Sequence, residues 1–136
     1  MNRRLVRFAL SASFGATALS GCSSLGPDEG AAGEVALAFS GALNDGDGSR
    51  ACELMTEAAR TELEDSSEES CHTAVLAEDI PSAERVLDIA AYGRSARVVL
   101  DGDVVFLSVA DGGWRVAAAG CRPQPEAPYD CAVAAS

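Results

Sequence analysis

The side chains of this chain best suited to chemistry are five cysteines, a single histidine and twenty-one carboxylates. Cys52, Cys71, Cys121 and Cys131 lie in the body of the sequence. Zinc would need four ligands at short spacing, and a dithiol redox centre would need a Cys-x-x-Cys pair. Neither spacing occurs, and the only imidazole is His72. An even set of cysteines in an exported chain reads as two disulfides, with three possible connectivities. Cys52–Cys71 and Cys121–Cys131 are the expected pairs, because each closes a short local loop, worth about 3 kcal/mol through the unfolded chain. Asp45-Gly46-Asp47-Gly48-Ser49 has some character of a calcium loop. It departs from the EF-hand pattern, since Arg50 stands where that loop needs glycine and no glutamate closes it. The sequence therefore predicts no metal and no cofactor.

The fifth cysteine has a different setting. Arg3, Arg4 and Arg7 precede twelve apolar or small residues, Phe8 to Leu19. That run suits the h-region of a signal peptide and is too short to span a bilayer. It leads into Leu19-Ser20-Gly21-Cys22, which resembles the lipobox of bacterial lipoproteins. The resemblance implies cleavage before Cys22 and diacylglyceryl transfer to its thiolate, with residues 1–21 as signal peptide and 22–30 as a lipidated tether. Each buried methylene adds about 0.8 kcal/mol, so two or three acyl chains hold a domain on a membrane durably. The expected location is the extracytoplasmic face of the cell membrane, and the Sec or Tat route stays open.

Net charge is −11, with ten arginines and no lysine. Loss of residues 1–21 removes three arginines and no acid, so the remainder is more acidic still. Such a chain is a poor partner for nucleic acid, which requires a basic stripe. Anionic headgroups repel it too, leaving the acyl anchor as its hold on the membrane.

Helical periodicity places a first helix at about Glu29–Leu43, with Ala31, Val35, Ala38, Phe39 and Ala42 on one face. Short helices are expected at Ser49–Met55, carrying Cys52, and from a Thr56 cap to Leu63. The Ser66–Glu69 spacing matches a capping box opening a helix to Glu78 that points Cys71 inward and His72 away. After Ile80-Pro81 the period changes to two. Segments Glu84–Ala91, Ser95–Leu100, Asp103–Ala110 and Trp114–Ala119 are separated by Gly-bearing turns, two of them Asp-Gly, a strong hairpin signal. Helices followed by strands predict an α+β domain over 31–121, with N-terminal helices packed on a curved four-stranded antiparallel sheet. Residues 122–136 form a Pro-rich, disulfide-tied tail.

The order is similar to the NTF2-like (cystatin-like α+β cone) superfamily. The likeness rests on Ala42-Leu43-Asn44-Asp45-Gly46-Asp47, the successive hairpins, and Asp111-Gly112-Gly113-Trp114-Arg115-Val116, within about Gly30 to Gly120. Ala117-Ala118-Ala119-Gly120-Cys121 and Pro128-Tyr129-Asp130-Cys131 resemble the ending of small lipoproteins of high-GC Gram-positive bacteria, a group without an assigned activity. The superfamily's enzymes use Asp, His, Tyr or Arg inside the cone. Two phases of the first strand are open here: Val86 and Asp88 face the core, or Leu87 and Ile89 do and the acids Glu84 and Asp88 meet water. Arg97 and Arg115 are expected on the wet face, and Trp114 in the core or at the cone mouth. Glu62, Glu64, Asp65, Glu68 and Glu69 form an acidic face that is solvated or docks a basic partner. The sequence thus points to a non-catalytic envelope module that meets a protein partner. The alternatives are a carrier of a small apolar ligand in the cone and an NTF2-like enzyme.

Overall fold

The computed structural model describes residues 28–126 and 128–135. Helix α1 spans Glu29–Asn44, and the Asp28 side chain caps it by accepting from the Gly30 N–H at 2.9 Å. Its buried face is Ala32, Ala36, Phe39, Ser40 and Ala42 with Gly33. The expected stripe was rotated slightly from this, and Ala38 is exposed. Gly46, at φ +70°, turns the chain, and Asp47 caps α2 (Gly48–Glu53) through the Arg50 N–H at 2.9 Å. The Thr56 hydroxyl caps α3 (Glu57–Ser67) through the Ala59 N–H.

The capping box at Ser66 does not form. Helix α3 runs through both serines, whose hydroxyls donate back to the Leu63 carbonyl at 3.1 and 2.7 Å, a local bond available to serine inside a helix. Helix α4 therefore begins later, at Cys71–Ala77. Glu64 takes over the capping role from α3, its Oε1 accepting the Cys71 N–H at 2.9 Å. α2 lies so close to α4 that a Cβ at Gly48 would collide with the His72 carbonyl.

Five strands follow, not four: β1 Val86–Tyr92, β2 Ser95–Leu100, β3 Val104–Ala110, β4 Gly113–Arg122 and β5 Asp130–Ala134. They form one open antiparallel sheet in the order β1-β2-β3-β4-β5. The fifth strand comes from the tail. Its prolines, at 123, 125 and 128, all precede Asp130, so the last segment keeps the N–H groups a ladder needs. It pairs with the second half of β4, placing Cys131 opposite Cys121. The first half of that edge is taken by Met55, with Thr56 N–H on the Val116 carbonyl and Val116 N–H on the Leu54 carbonyl, both 2.8 Å.

The helices cover one face of the sheet. Phe39, Val75, Val98, Val105, Leu107 and Val116 are the largest fully buried side chains between the layers. Ser40 is buried among them and stays satisfied, donating to the Ala83 carbonyl at 2.9 Å and accepting its N–H at 3.0 Å. Of the two expected phases of β1, the second is right for Ile89, which packs inward, and for Glu84 and Asp88, which meet water, but it fails at Leu87. A bulge between Val86 and Asp88 lets both Val86 and Ile89 face Gly33 of α1, while Leu87 and Asp88 are exposed. One extra residue resets the alternation.

Candidate functional site

Cys22 and the surrounding Leu-Ser-Gly-Cys motif lie outside the described residues. The other four cysteines form Cys52–Cys71 and Cys121–Cys131, closing separations of 19 and 10 residues. The first bond ties α2 to α4 at the floor of a polar cleft of about 460 Å³, lined in part by Glu53, Glu57, Arg60, Glu64 and His72. His72 is exposed there, and Ser70 Oγ lies 3.4 Å from its Nε2. Among the described residues, no group of three or more His, Cys, Asp or Glu side chains is arranged to hold a metal ion.

A carboxylate given no role by the sequence is the most buried acid of the fold. Asp103 stands immediately before β3 and is 8% exposed. Its Oδ1 accepts from the Val104 N–H at 2.7 Å and the Cys121 N–H at 3.1 Å, and its Oδ2 from the Gly120 N–H at 2.9 Å. Gly120 sits at φ +65°, a left-handed conformation in which glycine is favoured. Burial pushes the Asp103 carboxyl above its ordinary range, against the pull of the three N–H donors. Across the same turn, Asp101 is the opposite case. Its Oδ1 accepts from the Glu84 and Arg85 N–H groups at 2.9 and 3.2 Å, and these bonds hold its carboxyl below the ordinary range. Both aspartates fasten the β2–β3 end of the sheet.

The helix-free face carries the other concentration of functional groups. Asp88 and Arg97 both lie on it, with Arg97 Nη2 donating to Asp88 Oδ2 at 3.2 Å. That bond, with Tyr129 alongside, raises the Arg97 pKa. Asp88 is therefore on the exposed face and not in the helix–sheet interior. Phe106 projects outward one strand away, and the Tyr129 ring meets it edge-on with centroids 5.0 Å apart. Tyr92, Ser95, Arg97, Phe106, Ser108 and Tyr129 line a mainly apolar groove of about 430 Å³. Trp114, by contrast, faces the helices, is 3% exposed, and donates from Nε1 to the Asp28 carbonyl at 2.9 Å.

Compared with protein-family models, curated proteins and solved structures, the chain matches none.

Proposed function

We propose that this protein is a membrane-anchored lipoprotein of the cell envelope, with an NTF2-like α+β domain acting as a non-catalytic binding or interaction module. The observation that carries the reading is the sequence Arg3–Cys22, where a basic start, a short apolar run and Leu19-Ser20-Gly21-Cys22 follow one another in the order an acylation signal requires. Two disulfides in the body of the chain support it, because such bonds persist in oxidising compartments. No helix among the described residues is long and apolar enough to cross a membrane.

The module reading is supported by the way the helix–sheet interface is filled. Phe39 and Leu107, each 1% exposed, occupy the space between α1 and the sheet that a cone ligand or a catalytic base would need. The deciding experiment is intact-mass analysis and membrane fractionation of the native protein and its Cys22→Ala variant. Acylated mass for the first and release of the second into the soluble fraction are expected. Equal membrane retention of both removes the reading.

A further inference from the structure

The structure gives a surface for the lipid side of this arrangement. Asp28 is held by Trp114 at the start of β4, and Trp114 pairs with Val109, the residue after Ser108. Ser108 in turn pairs with Ser95, and Ser95 with Tyr92. The point where the tether enters the domain and the mouth of the outer-face groove are therefore at the same end of the sheet. Five residues lie between Cys22 and Asp28, so the six steps joining them put the domain's entry point at most about 22 Å from the acylated residue.

The chemistry of the groove selects among occupants. Its walls are the rings of Tyr92, Phe106 and Tyr129, and Tyr92 is 75% exposed. A tyrosine with an apolar body and a polar tip suits the boundary between hydrocarbon and water. The polar groups at its margin, the Ser95 and Ser108 hydroxyls and the Arg97 guanidinium, offer N–H and O–H donors. A glycerolipid presents the matching set, an apolar chain carrying ester and phosphate acceptors. A peptide strand fits less well, because the groove lies on the face of the sheet, where backbone N–H and C=O groups are already used between strands. The volume is within the roughly 300–1,000 Å³ of small-molecule sites.

We infer that this groove takes an acyl chain of a membrane glycerolipid, with the Tyr92–Ser95 hairpin end of the sheet turned toward the bilayer. The inference rests on the acylation of Cys22 proposed above, which puts this end of the domain beside the lipid. The groove lies on the opposite side of the sheet from the helix-covered interior.

The test uses protein purified from membranes of cells expressing the full chain and reconstituted in phosphatidylcholine–phosphatidylglycerol vesicles. A fraction of the lipid carries a diazirine on its acyl chain. After irradiation, label is expected on peptides containing Tyr92–Ser95, Phe106–Ser108 or Tyr129, with little on α3. The double variant Tyr92→Glu, Ser95→Glu changes two exposed side chains. It should reduce groove labelling about fivefold, a loss on the scale of 1 kcal/mol, and leave labelling beside Cys22 unchanged. Label spread evenly over the helices, label confined to residues 22–28, or label indifferent to the double variant overturns the groove. Intact mass measured on the same sample separates the two readings. Absence of acyl chains removes the anchor, whereas acylated protein without groove labelling removes the groove alone.

Discussion

Asp103→Ala is the sharpest perturbation of this fold, because it removes the carboxylate to which three backbone N–H groups donate. The Gly120 and Cys121 N–H groups are buried and bonded to this carboxylate, and the Val104 N–H is partly so. An unsatisfied buried donor costs about 1–3 kcal/mol, so two cost about 2–6 kcal/mol, toward the lower end where water enters the vacated space. We expect a loss of about 3 kcal/mol in urea denaturation at pH 7. For a domain of this size the melting temperature should fall by more than about 10 °C. The pH dependence adds a second arm. Burial raises the Asp103 pKa above its ordinary 3.8, so the folded state binds that proton more tightly than the unfolded chain. The resulting stability is fully present below the ordinary value and is lost as pH rises through the raised one. Relative to Asp103→Asn, which has no proton to lose there, the wild type should lose stability over that window. Two results refute the reasoning. One is an alanine variant within about 0.5 kcal/mol of wild type. The other is a wild type that gains on Asp103→Asn as pH rises, meaning that the three N–H bonds outweigh burial.

Other perturbations separate the remaining supports. Asp101 has the opposite sign: its lowered pKa gives stability that is present above pH about 3.8 and lost as pH falls through the folded value. Wild type should therefore outlast Asp101→Asn in urea at pH 5 and lose that advantage in stronger acid; an advantage undiminished by acid counts against the assignment. Gly48→Ala drives a methyl group into the His72 carbonyl and should cost about 3 kcal/mol. A wild-type melting temperature for this variant would mean that α2 and α4 do not approach so closely. Replacing Cys52 and Cys71 by serine should cost about 3 kcal/mol, and replacing Cys121 and Cys131 slightly less, because the closed loop is shorter. Non-reducing peptide maps that join Cys52 to Cys121 would overturn both values.

The parts of the fold legible in sequence are those governed by local chemistry. Asp-Gly turns, Thr56 as a cap and the change of period after Pro81 are each decided within a few residues. They place β2 at Ser95–Leu100 and the start of α1 at Glu29, as the structure has them. The misread elements are those settled between distant segments. Ser66 has the spacing of a cap, but Glu64 reaches Cys71 first and α3 continues through the serines. Leu87 alternates with its neighbours in sequence, yet the bulge in β1 sets its direction and exposes it. The fifth strand was hidden by the prolines before it, although Asp130-Cys131-Ala132-Val133-Ala134 carries none. Asp103 passed as the first residue of a strand. Its role depends on the turn of β4 at Gly120, 17 residues away, and no local pattern announces it.

The distribution of these supports bears on where the molecule can meet something else. Asp101, Asp103 and the Cys121–Cys131 bond all act at the β2–β3 end of the sheet, where carboxylates and a covalent link hold the strands together. The other end is closed by the two hairpins and by the bond from Trp114 to Asp28. Its exposed side chains, Tyr92 and Ser95 among them, take little part in holding the sheet. A surface that contributes little to stability can be altered without unfolding the domain, and it is the surface nearest the proposed anchor. Substitutions there should therefore change contacts with lipid while the urea midpoint stays within about 0.5 kcal/mol of wild type. Substitutions at the far end should do the reverse. If Tyr92→Glu unfolded the domain as Asp103→Ala does, this division of labour between the two ends of the sheet would not exist.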